Sequence, residues 1–164
     1  MRRISVLLTP VAVCLLPVWA VAAVTSAPAF PAGEILSAGI CVNGEVIERY
    51  DQPQSAAGYA NMVATLRITE QTDEIPLRKG IGFGFAWKAK NLPPSATITY
   101  RLEHPVLTRP DGRSLDHFEE NLRQNTKLGV IETVDCNFLS EEHELVPGTW
   151  TLSVIHNGSL LVKR

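Results

Sequence analysis

Four histidines and one cluster of acids are the side chains of this chain best suited to chemistry. His104 precedes Pro105, His117 sits between Asp116 and Phe118, His143 lies between Glu142 and Glu144, and His156 precedes Asn157-Gly158. Neutral imidazole combined with carboxylate suits Zn²⁺ or Cu²⁺. His104, His143, Glu142 and Glu144 are therefore candidates for a small-ligand or metal site assembled from separate loops. Their spacing does not by itself bring them together, since neither CxxC nor HxxxH occurs. The acids Glu141, Glu142 and Glu144 also match the raw material of glycoside hydrolysis, which uses two carboxylates at a set separation. They equally suit a charged, solvated turn ahead of the last strands. No GxSxG element presents a nucleophilic serine. The GxG at Gly82–Gly84 lies inside a strand pattern and does not open a helix as a phosphate cradle would. No catalytic set and no cofactor is expected.

The compartment follows from the first 23 residues. Arg2 and Arg3 precede an apolar run from Ile4 to Trp19 and the small residues Ala20-Val21-Ala22, the pattern of a secretory signal peptide cleaved near Ala22 or Ala23. The run approaches the roughly 20 residues of a membrane span, but Pro10 and Pro17 interrupt it. Cys14 follows Val13, which does not suit lipidation. The expectation is a secreted protein, most simply periplasmic, with no stable membrane insertion after cleavage. Residues 24–33, rich in Ala and Pro, read as a flexible lead-in to one domain over residues 34–164.

Loss of the leader changes two quantities. It removes Cys14 and leaves Cys41 and Cys136, an even pair that in an oxidising compartment reads as a disulfide closing a loop of 95 residues. Two separate buried thiols are the alternative. It also removes two arginines, taking the formal net charge from −2 to −4. A mildly acidic domain with scattered basic residues does not suit nucleic acid, whose phosphates call for concentrated positive charge.

The elements that must position these groups are strands. In Ile81–Lys90 the apolar Ile81, Phe83, Phe85, Trp87 and Ala89 alternate with small or charged residues. Gly82 and Gly84 inside that strand mark a bulge or the close approach of another backbone or ring. The same period places strands over 62–69, 97–102, 130–138 and 149–154, with a bulge expected near Ile131-Glu132. Ile35–Val42 is apolar on both faces and reads as a buried strand, which 46–50 continues or pairs with across Asn43-Gly44. Asn157-Gly158 is expected to form a type I′ turn joining 150–156 to 160–163. It also opens an Asn-Gly-Ser glycosylation acceptor, for which the turn is the simpler account. The one candidate helix is Ser114–Gln124, where Leu115, Phe118 and Leu122 share a helical face. About seven strands without a βαβ rhythm indicate an all-β, immunoglobulin-like antiparallel sandwich. Residues 52–60 and 108–125 are the expected contact loops.

A set of ordered motifs carries a family likeness. EILSAGIC near the start, Thr72 to Pro76 followed by GIGFGFAWK, Glu103-His104-Pro105, ELVPGTW at Glu144–Trp150 and the closing HNGSLLVKR occur in this order. The set resembles a bacterial family, domain of unknown function 3859, over about Glu34 to Arg164. The resemblance implies a compact extracytoplasmic domain and assigns it no chemistry. With a stable scaffold and no catalytic set, the reading is a non-enzymatic module that binds another envelope or secreted protein. A small-ligand or metal-binding periplasmic protein using loop His and Glu residues is the alternative.

Overall fold

The computed structural model describes residues 29–164, so the leader and most of the lead-in lie outside the described residues. Ten strands form: β1 (Ala32–Asn43), β2 (Val46–Asp51), β3 (Tyr59–Val63), β4 (Leu66–Gln71), β5 (Gly82–Lys90), β6 (Ser95–Thr108), β7 (Ser114–Asn125), β8 (Ile131–Phe138), β9 (Thr151–His156) and β10 (Ser159–Lys163). Two four-stranded antiparallel sheets face each other, in the orders β4-β1-β5-β8 and β10-β9-β6-β7. The strand count is higher than about seven because two segments split into shorter strands and one apparent helix is a strand.

Alternation decides which faces meet. Phe85, Trp87 and Ala89 of β5 pack against Ala96 and Ile98 of β6, Val154 of β9 and Leu161-Val162 of β10. A second cluster joins Ile81, Phe83 and Leu139, with Trp150, Leu102 and Ile75 packed on it. Trp87 is fully buried; removing such a side chain to Ala costs about 3–5 kcal/mol. The closing hairpin forms around Asn157 (φ 48°) and Gly158 (φ 76°), the positive values a type I′ turn requires.

Ser114–Asn125 is strand β7, where a helix was expected. It pairs with β6 from Ser95↔Asn125 to Thr108↔Ser114, and this pairing outweighs a local helical spacing of three apolar residues. Phe118, Glu120, Leu122 and Gln124 share one face of it, opposite Leu102, Tyr100, Ile98 and Ala96. β1 is central in its sheet but not buried on both faces, since Leu36 is 48 % exposed. It begins at Ala32, which pairs with Lys90, so two residues assigned to the lead-in belong to the sheet. β8 runs along β5 without a register shift, so no bulge lies at Ile131-Glu132. Its faces are also the reverse of the apolar pattern: Asp135 stands opposite Phe85 on the core side, and Cys136 and Phe138 stand opposite Gly84 and Gly82 on the other.

β2 pairs with β3 and not with β1, so Asn43-Gly44 is no hairpin. The β1–β4 pair instead runs on past Asn43↔Leu66, through Gly44 N–H donating to Thr65 O and Ala64 N–H donating to Glu45 O, into the β2–β3 pair. The result is one long two-stranded ribbon, bent at Gly44-Glu45 and Ala64-Thr65, that extends beyond the four-stranded sheet. The bend divides the expected 62–69 strand into the end of β3 and the start of β4.

Candidate functional site: a cavity beneath the ribbon

The tip of the ribbon, Gln52–Gly58, and the adjoining Tyr59 are held by side-chain hydrogen bonds. Arg109 Nη1 donates to Pro53 O and Ser55 O, each at 3.0 Å. Gln52 Nε2 donates to Glu120 Oε1 at 3.1 Å, and Tyr59 Oη donates to Glu141 Oε1 at 3.1 Å. His143 Nε2 lies 2.9 Å from Ala56 O. These contacts fasten the ribbon to the β6–β7 turn, to β7 and to the 3-10 turn Glu142–Glu144. The two expected contact loops therefore meet, although most of 108–125 is strand.

Beneath the ribbon lies a cavity of about 410 Å³. Its walls come from both sheets and the 3-10 turn. Leu102, His104, Phe118 and Glu120 line it from one sheet, Asn137 from the other, Tyr59 and Gln52 from the ribbon, and Glu144 and Trp150 from the segment before β9. The pairing of β6 with β7 shifts register between Glu103 and Leu107, so His104 and Pro105 occupy a bulge. A bulge accommodates proline, which has no N–H for the ladder, and re-aims the neighbouring side chain.

His104 is only 8 % exposed, with its ring centroid 5.0 Å from that of Trp150. Its Nδ1 is 2.8 Å from Pro105 O. Donation from Nδ1–H to that carbonyl leaves Nε2 as an acceptor in the neutral ring, and Nε2 is buried with no partner. The only other such atom among the described residues is Asn137 Nδ2, in another residue that lines the cavity. Leaving a buried polar atom unpaired costs about 1–3 kcal/mol, so two around one cavity is a concentrated expense. A larger opening of about 590 Å³ on the other side of Trp150, beside Ile75, Leu77, Phe83 and Leu139, contains neither atom. The smaller cavity is thus the better candidate despite its size.

The sequence-derived candidates separate on this geometry. His104 and Glu144 both line the cavity. Glu144 is buried, and its Oε2 accepts the N–H groups of Ser140 and Glu141, each at 2.7 Å. Burial raises its pKa, opposed by those two backbone donors. His143 buttresses the ribbon, and Glu142 is exposed and outside the lining. Among the described residues no three His, Cys, Asp or Glu side chains come together to hold a metal ion. His117 is exposed beside Asp116, and His156 is fixed to Thr97 O at 2.9 Å.

The spacing of residues gives no hint of Asp135. Its carboxylate is inside the sandwich, where Trp87 Nε1 donates to Oδ2. Burial pushes its pKa up to about 6, against the pull of Trp87 and Tyr100. Burial also raises Tyr100, whose hydroxyl accepts from Gln124 Nε2 at 2.6 Å.

Cys41 and Cys136 are bonded, with Cα atoms 6.3 Å apart. They lie in one sheet, in β1 and β8 on either side of β5, and not on opposite sheets. Cys41 is beside Gly82 and Cys136 beside Gly84. A Cβ on Gly84 would sit 1.9 Å from Asp135 O, and one on Gly82 would sit 2.3 Å from the Phe138 ring. The GxG in β5 thus serves close packing under a cross-strand disulfide, the structural role expected of it.

A solved immunoglobulin-like protein from Pseudomonas aeruginosa is similar to this chain, with 23 % identity and a TM-score of 0.58 over 85 % of this chain and 96 % of that one. At that identity the likeness establishes the immunoglobulin-like fold alone. No functionally curated protein matches the chain. A family profile matches residues 31–164, nearly all of the described structure. The chain belongs to the family defined by domain of unknown function 3859.

Proposed function

We propose that this chain is a non-enzymatic module of the periplasm or the secreted fraction that binds another envelope or secreted protein along the free edge of β2. The observation that carries this reading is the state of β2 itself. All six of its residues are exposed, and its only strand partner among the described residues is β3. Val46 and Ile47 are apolar and 45 % and 64 % exposed, on the strand that is least covered. An exposed strand edge is a template for an extended segment of a partner, which adds a strand through main-chain hydrogen bonds. Anchorage of the tip by Arg109, Gln52, Tyr59 and His143 holds that edge in place for docking. The signal-peptide pattern supports the compartment.

The test is capture from envelope extract with the purified mature protein, compared with an Ile47→Lys variant. A lysine on an edge strand opposes strand addition while leaving the sandwich untouched. The expected result is a reproducible partner that the variant fails to retain, with unchanged thermal unfolding. Equal capture by both proteins, or no reproducible partner for either, overturns the proposal.

A further inference from the structure

We infer that the cavity beneath the ribbon is a binding site for a small organic amine that also carries a hydroxyl group, of the size of an amino alcohol or a single amino sugar. The inference stands apart from strand addition at β2, because it concerns the inner side of the ribbon. Three features of the walls select the ligand. The first is charge: Glu120 and Glu144 line the cavity and no Lys or Arg does, so an anion is disfavoured and a cation favoured. The second is the pair of unpartnered buried atoms. His104 Nε2 is an acceptor waiting for a donor, and Asn137 Nδ2 is a donor waiting for an acceptor. Both atoms are closed off even from water, so they meet a ligand only when the His104 ring and the Asn137 amide turn toward the cavity; an ammonium then supplies the first and a hydroxyl oxygen the second. The third is the apolar share of the wall, where Leu102 adds a hydrocarbon side chain and Phe118 and Trp150 add aromatic rings. Such rings accept both the hydrocarbon part of a ligand and a cation over their faces.

The volume fits as well. About 410 Å³ falls in the range of pockets that enclose small molecules, roughly 300–1,000 Å³. Gln52, Ser55 and Ala56 of the ribbon tip form part of the wall, and the tip is linked to Glu120, Glu141 and Arg109 by side-chain contacts. Glu120 has a double part: it holds Gln52 of the tip and faces the cavity. A cation bound beside it competes with Gln52 for the same carboxylate.

Isothermal titration of the oxidised mature protein with glucosamine and with ethanolamine tests the inference, with glucose and acetate as the arms lacking an amine. Saturable binding of at least one amine is expected, with glucose weaker by about tenfold or more, the worth of one charge-assisted hydrogen bond. Glu120→Gln keeps an acceptor for Gln52 and removes the charge; it should weaken the amine by about tenfold and leave any glucose binding unchanged. His104→Gln is the second variant, checked for folding by circular dichroism, and should likewise weaken the amine. No heat with either amine overturns the inference. So does glucose binding as tightly as glucosamine, or amine binding that Glu120→Gln leaves intact. None of these outcomes bears on capture through Ile47, so the two proposals fail separately.

Discussion

Asp135→Asn should make this protein more stable at neutral pH, and the gain should disappear in acid. The wild-type carboxyl lies inside the sandwich, and burial raises its pKa from the ordinary 3.8 to about 6. That difference amounts to about 3 kcal/mol of preference for the neutral form in the folded state. The sign follows from linkage. A group whose folded pKa is raised contributes stability that is fully present below 3.8 and is lost as pH rises through about 6. At neutral pH the wild type therefore carries the cost of an ionised carboxylate in its core. Asparagine still accepts the Trp87 indole N–H through Oδ1 and never ionises. The variant should exceed the wild type by up to about 3 kcal/mol near pH 8, by slightly less near pH 6, by about 0.5 kcal/mol near pH 4, and by nothing at about pH 3 and below.

Urea unfolding followed by tryptophan fluorescence, with the disulfide kept oxidised and both proteins measured across that range, gives the comparison. Glu144, also raised by burial, drifts in the same direction, but it does so in both proteins and cancels in the difference. Asp111 and Asp116 have lowered pKa values and are fully exposed, so their effects fall at the acid end and cancel likewise. A stability difference that stays flat from acid to neutral pH, or a variant less stable at neutral pH, would refute the reasoning. Either result would mean that the carboxylate is solvated or is held by donors that offset its burial.

Two further perturbations test the frame around this acid. Replacing Cys41 and Cys136 together by Ala removes the closure of a 95-residue loop and should lower the unfolding free energy by about 4–5 kcal/mol on the chain-entropy model, read by urea melts against the wild type with and without reductant. Gly84→Ala drives a Cβ into backbone at Asp135 O, with no flexible side chain to give way, and should cost at least about 2 kcal/mol in the same melt; a neutral outcome would show that β5 and β8 can separate at this point.

The parts of this fold legible in the sequence are those where local pattern and tertiary role agree. Trp87 alternates with polar neighbours and is buried; Asn157-Gly158 combines the two residues a type I′ turn wants and makes one. Cysteine count and the expected compartment pair Cys41 with Cys136, but nothing local to either residue places both in one sheet. Illegibility begins where partners are remote. Ser114–Asn125 carries too many charges on both faces to show a two-residue period, and only pairing with β6 makes it a strand. On β8 the apolar Val134, Cys136 and Phe138 suggested a core face, yet Asp135 points inward because Trp87 offers it a hydrogen bond from the neighbouring strand. Of the four candidate site residues, His104 and Glu144 reach the cavity. Their chemical type marks them as candidates, but the bulge and 3-10 turn that bring them there have no sequence signature short enough to read.

The distribution of cost through the molecule argues that the ribbon end is where it works. The core beside Phe85, Ile98 and Val154 pairs its one acid, Asp135, with Trp87, and the terminal hairpin satisfies its one buried histidine, His156, with Thr97. The unpaired buried atoms, His104 Nε2 and Asn137 Nδ2, both lie at the ribbon end, and each costs about 1–3 kcal/mol. With Asp135 added, the total approaches the whole stability of a typical domain, roughly 5–15 kcal/mol. A cross-link contributing about 4–5 kcal/mol offsets much of that, and Cys136 places it at the cavity wall. Natural sequences break the rules of core satisfaction chiefly where a site requires it. A ligand that pairs both orphaned atoms recovers their cost on binding. Stabilisation by such a ligand depends on its concentration relative to its Kd, so the Cys41/Cys136 double variant should gain the same free energy as the wild type wherever the cavity keeps its shape, and a smaller gain would show that the cross-link at Cys136 holds the cavity wall in place.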